Sequence, residues 1–187
     1  MARELFHVKQ WFEQYAQEIE SWNQVHRIIG KSAAITLVRE SLIALEDFRT
    51  QPSTSSVLTL IDIGAGAGLL GVPWLWTAAT SRAIFIEPDK KKAAFLNLYL
   101  SNHLKARRGD WLVLTQRLED VSRETIDQAA ALPIVAAARA FSGERSLAES
   151  RELSALAEIP CYEFTAESNL EPQAKSFFLK RLKKHSS

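Results

Sequence analysis

Apolar positions recur along this chain with two different periods, and the change between them divides it. Near the start, Leu5, Val8, Phe12, Tyr15, Ile19 and Trp22 follow steps of three and four. That spacing puts them on one face of an amphipathic helix over about 3–22, which Trp11 widens. Such a face normally packs on the rest of its domain. Trp22 to Lys31 reads as a connection, with Gly30 as a helix stop. Ser32 is placed to cap a second helix, carrying Ile35, Val38, Leu42 and Leu45 on its apolar face. The polar stretch Thr50–Ser56 is the clearest boundary. Beyond it, short β-branched runs alternate with helical segments. Strands are predicted at 57–63, 83–87, 111–116 and 134–138, and helices at 69–80, 90–103, 122–130 and 144–156. Pro73 is compatible with the first of these helices only in its opening turn. Asp89 is placed to cap the second. Strand-like segments at 161–165 and 176–182 complete the chain as an antiparallel pair. This alternation predicts an α/β fold with a doubly wound sheet. Residues 1–187 are expected to form a single domain, with 1–50 as a helical cap and 57–187 as the cofactor-binding core.

Composition adds few constraints. The chain has 187 residues, 47% of them hydrophobic and 24% charged, which is enough for a core without covalent staples. A single cysteine, Cys161, rules out an intramolecular disulfide and reads as a small buried hydrophobe. No apolar run is long enough to span a membrane, and no secretory pattern opens the chain, so a cytoplasmic protein is expected. A net charge of +1 gives no global attraction to nucleic acid. Local basic runs at 90–92, 105–108 and 180–184 remain as candidates for it. The four histidines are far apart, so no metal site is expected.

The chemistry concentrates at the end of the first strand. There Ile61-Asp62-Ile63 runs into Gly64-Ala65-Gly66-Ala67-Gly68-Leu69-Leu70-Gly71. Glycines at a strand-to-helix turn supply unusual dihedrals and let a ligand approach the backbone. The helix that follows aims its free N–H groups at the same spot. Gly66 to Gly71 matches the dinucleotide fingerprint. The register that starts at Gly64 instead matches the acidic-x-Gly-x-Gly-x-Gly loop of class I S-adenosylmethionine methyltransferases. Ile63 leads directly into Gly64, which favours the second register. Asp62 would repel a pyrophosphate and suits a cationic methionine moiety. Glu87 ends the second strand, where a carboxylate can accept from both ribose hydroxyls. Leu118 and Glu119, after the third strand, could hold an adenine edge. Trp74 and Trp76 are candidate stacking residues for an unpaired base.

Several segments in order resemble the GidB/RsmG family, bacterial methyltransferases acting on a guanine N7 of small-subunit ribosomal RNA. The stretch from Leu60 to Trp74 is similar to the family signature, including its Gly-Val-Pro tail. Glu87-Pro88-Asp89-Lys90-Lys91-Lys92-Ala93-Ala94-Phe95-Leu96, Arg117-Leu118-Glu119-Asp120 and Ala138-Arg139-Ala140-Phe141-Ser142 resemble its later elements. Trp22-Asn23-Gln24-Val25 echoes its amino-terminal part. The resemblance implies a Rossmann-like class I methyltransferase fold, S-adenosyl-L-methionine as cofactor, and ribosomal RNA or the small ribosomal subunit as partner. It implies cofactor contacts at Gly64, Leu69, Leu118, Glu119 and Arg139. From its place after the fourth strand, Arg139 could touch cofactor, base or phosphate, and it is the candidate catalytic residue. Asp62, Gly66, Gly68 and Glu87 complete the expected cofactor site. A monomer without membrane association is expected. The chain departs from the family pattern at Arg27-Ile28-Ile29 and across 39–44, and a shortened carboxyl-terminal part is left open. These departures fall on the acceptor side. The alternatives are a non-catalytic cofactor- or RNA-binding relative and a dinucleotide-dependent oxidoreductase.

Overall fold

A computed structural model describes residues 2–50, 57–77, 80–107, 109–131, 133–139, 156, 159–166 and 177–181. Its centre is the strand β1 (Thr59–Ile63), buried at every position. Leu60, Ile61 and Ile63 fill both faces of the sheet, the pattern of a strand enclosed by parallel neighbours. β1 pairs in parallel with β2 (Arg82–Ile86) on one side and with β4 (Ile134–Arg139) on the other. β3 (Trp111–Leu114) extends the sheet beyond β2, and β5 (Cys161–Ala166) beyond β4, both in parallel. β6 (Phe177–Arg181) runs antiparallel to β5 at the edge. The strand order is β3-β2-β1-β4-β5-β6. Chain direction across the sheet therefore reverses between β1 and β4, and a crevice opens there at the carboxyl ends of the strands.

Helices cover both faces. On one face lie α1 (Ala2–His26), α2 (Ala34–Thr50), α3 (Gly71–Thr77) and α4 (Lys90–His103). Tyr15, Ile19, Val38, Phe48, Trp74, Phe95 and Tyr99 join Leu60, Phe85 and Val135 of the strands in one apolar cluster. The two amino-terminal helices thus share their core with the sheet. On the other face, Ile61, Ile84 and Ala136 meet Leu118, Val121 and Ile126, the last from α5 (Arg123–Ala129).

The structure moves several boundaries. α1 continues past Trp22 to His26. Its stop is Arg27 rather than Gly30: Arg27 takes φ +51°, and the Asn23 side-chain oxygen accepts from Ile29 N at 2.9 Å. Ser32 does not cap α2. Ala34 N donates instead to Glu20 Oε1 at 2.6 Å, so a carboxylate from α1 satisfies the start of the next helix. The buried stripe of α2 includes Ala34, Ser41 and Phe48, while Ile35 is 41% exposed. The three-four spacing identified the helix but set its apolar face partly out of phase. α3 begins at Gly71, two residues later than expected, because Leu69 and Leu70 still belong to the turn. Pro73 falls in the opening turn, as its missing N–H requires. α4 has the expected bounds, and β5 and β6 form the expected antiparallel pair. Of the segment 144–156, only Leu156 is among the described residues, and it is buried. Residues 51–56 of the polar loop also lie outside them, and Thr50 closes α2.

Asp89 caps α4 as expected: Oδ1 accepts from Lys91 N at 2.8 Å and from Lys92 N at 3.2 Å. Desolvation, the largest single cause, pushes its carboxyl up. The backbone donors of Lys92 and Lys91 and the charges of both lysines outweigh this and hold it below its ordinary 3.8. The cap therefore contributes fully above pH 3.8 and is lost as the pH falls through the lower folded value. Asp89→Ala should cost about 1 kcal/mol at neutral pH by urea denaturation, and much less in acid.

Candidate functional site

The turn from β1 into α3 is fastened at several points. Gly64, Gly66 and Gly68 take φ of +66°, +58° and +82°, a region that side-chain-bearing residues rarely enter. Gly64 N and Ala65 N donate to Ile86 O at 2.9 and 3.1 Å, tying the turn to the end of β2. Gly68 N donates to Ala65 O at 2.7 Å. Two carboxylates hold further N–H groups. Glu87 Oε2 accepts from Gly66 N at 2.7 Å, and Glu87 Oε1 accepts from Asp89 N at 2.8 Å. Asp62 Oδ2 accepts from Gly71 N at 2.8 Å, at the start of α3.

The glycines differ in purpose. A Cβ on Gly68 would stand 2.5 Å from Leu96 Cδ2 and 2.8 Å from Val72 Cγ2. On Gly71 it would strike the Phe85 ring. These two let α3 settle onto β2 and α4. A Cβ on Gly66 would meet nothing nearer than Gly64 O at 3.9 Å. Gly66 is therefore where a ligand can come up against the backbone, in space that a side chain would fill.

The residues singled out from the sequence gather at one edge of the sheet. Gly64, Gly66, Gly68 and Leu69 follow β1, and Glu87 follows β2. Leu118 and Glu119 open the 3-10 turn after β3, and Arg139 is the last residue of β4. Parallel pairing brings these carboxyl ends together, and Glu87 N donates to Leu114 O at 3.0 Å across β2 and β3. Asp62 is recast. It is only 2% exposed and is hydrogen-bonded to the start of α3, so it shapes the turn from within. Leu118 is also buried, its side chain in one apolar cluster with Val121 and Ile126. The side chain of Arg139 lies outside the described residues. Among the described residues, no group of three or more His, Cys, Asp or Glu could hold a metal ion. None of the described helices is long and apolar enough to cross a membrane.

Two further expectations change. Trp74 is buried under Phe48, with the Arg49 guanidinium 4.1 Å from its ring centre, so it is not available to stack on a base. Trp76 is 38% exposed but lies against Trp11 with ring centres 4.5 Å apart. Two of the three basic runs lie apart, and of the third, at 180–184, residues 182–184 lie outside the described residues. Lys90, Lys91 and Lys92 open α4 at the crevice edge, whereas Lys105 and Arg107 follow its far end. Arg107 is bound to Asp110 and to the carbonyls of Leu75 and Ser81.

The spacing puts Tyr15 on a core stripe, and it is fully buried. Its hydroxyl nevertheless donates to Ala67 O, inside the glycine turn, at 2.6 Å. The available signal was the residue type, since a phenol within an apolar stripe must find an acceptor. Burial, with Tyr99 and then Asp62 as further causes, pushes Tyr15 well above its ordinary 10.0. Burial, with Glu18 adding to it, likewise raises Tyr99. Both stay protonated in the fold while the unfolded chain ionises near pH 10.0. Their contribution is thus complete below that pH and is lost as the pH rises toward the folded values. Urea midpoints measured from pH 8 to 11 should fall steeply at the alkaline end, and less steeply in Tyr15→Phe.

The GidB family model, described as rRNA small subunit methyltransferase G, matches residues 8–156. The chain belongs to the GidB family. Ribosomal RNA small subunit methyltransferase G from Helicobacter pylori strain J99 is 33% identical over 108 residues, covering 58% of this chain and 57% of that protein. The match thus spans a little more than half the length of that curated relative. Among solved structures, the fold resembles magnesium protoporphyrin IX methyltransferase from Synechocystis PCC 6803, determined with bound SAM. The TM-score is 0.54 at 14% identity, over 80% of this chain and 71% of that one. Precorrin-6y C5,15-methyltransferase from Geobacter metallireducens gives a TM-score of 0.51 at 15% identity, over 78% and 67%. At such identities the likeness concerns the fold: this GidB-family chain has the Rossmann-like sheet of class I methyltransferases.

Proposed function

We propose that this GidB-family chain is an S-adenosylmethionine-dependent methyltransferase acting on guanine N7 of small-subunit ribosomal RNA. Residues 1–187 are read as one domain, with the helical cap at 1–50 and the cofactor-binding core at 57–187. The observation that carries the reading is the pairing of Gly66 with Glu87. Open space at a backbone held in the left-handed region faces a carboxylate at the carboxyl edge of the sheet, beside its topological switch. These residues fit an adenosine cofactor. Each oxygen of Glu87 accepts one backbone bond and keeps acceptor capacity for a ribose hydroxyl. Gly64, Gly66 and Leu69 line the approach, Gly68 serves it from behind by letting α3 settle onto β2 and α4, and the Leu118–Glu119 backbone borders the place for an adenine. Asp62 acts by fixing the turn.

When bound, the cofactor supplies a methyl group activated on a sulfonium sulfur. The tasks left to the chain are binding and alignment. Guanine N7 carries an exposed lone pair, so no strong general base is needed, and holding the two reactants in line supplies most of the acceleration. Arg139, at the end of β4, is the residue proposed to orient base or phosphate there. Lys90–Lys92 at the crevice edge would add salt-dependent, sequence-independent affinity for RNA phosphates. A soluble cytoplasmic monomer is the state proposed for it. Family membership gives the dinucleotide alternative no support, and the fixed turn and buried Glu87 favour a working site over a degenerate one.

Titration calorimetry with S-adenosylmethionine, its demethylated product and a nicotinamide dinucleotide tests the cofactor. Saturable heat is expected with the first two and none with the dinucleotide. Heat with the dinucleotide alone would overturn the assignment.

A further inference from the structure

The Ala67–Gly68 peptide is held at both of its polar atoms. Its N–H, on Gly68, donates to Ala65 O at 2.7 Å, within the turn itself. Its carbonyl, on Ala67, accepts from Tyr15 Oη at 2.6 Å, from a helix 52 residues earlier in the chain. A peptide followed by glycine can rotate by half a turn, because glycine allows the dihedrals of both orientations. Gly68, at φ +82°, sits in one of them. Nothing local to the turn holds the Ala67 oxygen; the bond to α1 does.

Tyr15 is itself rigid. Its ring stacks on Trp11 at 5.5 Å with an interplanar angle of 11°. It also lies 4.8 Å from Tyr99 of α4. Tyr99 in turn stacks against His103, and His103 Nε2 meets Glu18 Oε1 at 2.8 Å, one turn further along α1. The hydroxyl is thus presented by a helix tied to α4 at both Tyr15 and Glu18.

We propose that Tyr15 is a positioning residue for the cofactor site. It acts through the Ala67 carbonyl from behind the glycine turn, and so makes α1 part of the binding machinery. The inference rests on the cofactor reading given above. It adds that the order of the turn, and hence cofactor affinity, depends on α1 docking, and linkage requires that cofactor binding tighten α1 in return.

Tyr15→Phe removes only the hydroxyl and keeps the ring contacts. Amide exchange in the ligand-free protein is expected to quicken about tenfold at Gly66 and Gly68, the share of one hydrogen bond, with β1 and β2 unchanged. The KM for S-adenosylmethionine should rise by about the same factor, while kcat at saturating cofactor stays within about twofold. Val38→Ala, which opens the same apolar cluster away from the turn, serves as the control. It should lower the melting temperature without moving exchange at Gly68 or the KM. Unchanged exchange at Gly68 in Tyr15→Phe overturns the proposal, as does an equal change in Val38→Ala. If the wild type fails to bind the cofactor, the cofactor reading falls, while the exchange result still decides whether Tyr15 orders the turn.

Discussion

Glu87→Ala is expected to weaken S-adenosylmethionine binding roughly 100-fold or more, while the chain still folds. Two bonds from ribose hydroxyls to a carboxylate are lost, each worth about 1.5–3 kcal/mol. The substitution also strands Gly66 N and Asp89 N, both served by this carboxylate. Glu87→Gln is the sharper variant. Both oxygens of Glu87 accept from backbone N–H groups, so a carboxamide would set its own donor against one of them in either orientation. Glutamine should therefore lower stability by about 1–3 kcal/mol despite its matched size. Calorimetry on both variants, with urea denaturation alongside, measures the two effects separately. Wild-type affinity in Glu87→Ala would mean that the ribose is held elsewhere.

A large loss of stability is also expected at Gly68. An alanine there would be strained at φ +82°, at about 1–2 kcal/mol, and its Cβ would press on Leu96 and Val72. Overpacking of this kind adds about 1–3 kcal/mol, so Gly68→Ala should lose roughly 2–5 kcal/mol. Out of a typical total of about 5–15 kcal/mol, that is a large share. Gly66→Ala carries the backbone strain without the collision, since its Cβ would face open space. Urea denaturation should thus rank Gly68→Ala well below Gly66→Ala in stability. Cofactor binding should be lost in Gly66→Ala even where the fold survives. Equal stability in the two would show that Leu96 and Val72 give way.

Much of this was legible in the sequence because it rests on local rules. The alternation of β-branched runs with helical segments gives the parallel sheet. The register of Gly64 against Ile63 places the turn, and Asp89 marks the start of α4. What escaped depends on side-chain partners that spacing alone does not show. Glu20 caps α2, and Arg27 rather than a glycine ends α1, because Asn23 supports it there. Ile35 lies outside the buried stripe of α2, where Ala34 and Ser41 lie within it. Asp62 and Tyr15 are further cases. Their types and positions predicted a ligand contact and a core contact; a bond to Gly71 N across the turn and a bond to Ala67 O from 52 residues away give both a part in the turn itself. Arg107, in a run read as basic surface, is spent on carbonyls at the far end of the sheet.

The acceptor is tested most directly by nucleoside analysis. Small-subunit ribosomal RNA and assembled small subunits, each lacking the modification, are incubated with the protein and S-adenosylmethionine, digested, and read by mass spectrometry. 7-Methylguanosine should accumulate only when protein and cofactor are both present, and Arg139→Ala should reduce it strongly. Cofactor binding with no methylated nucleoside from either substrate would contradict the account and leave a cofactor-binding relative without this activity.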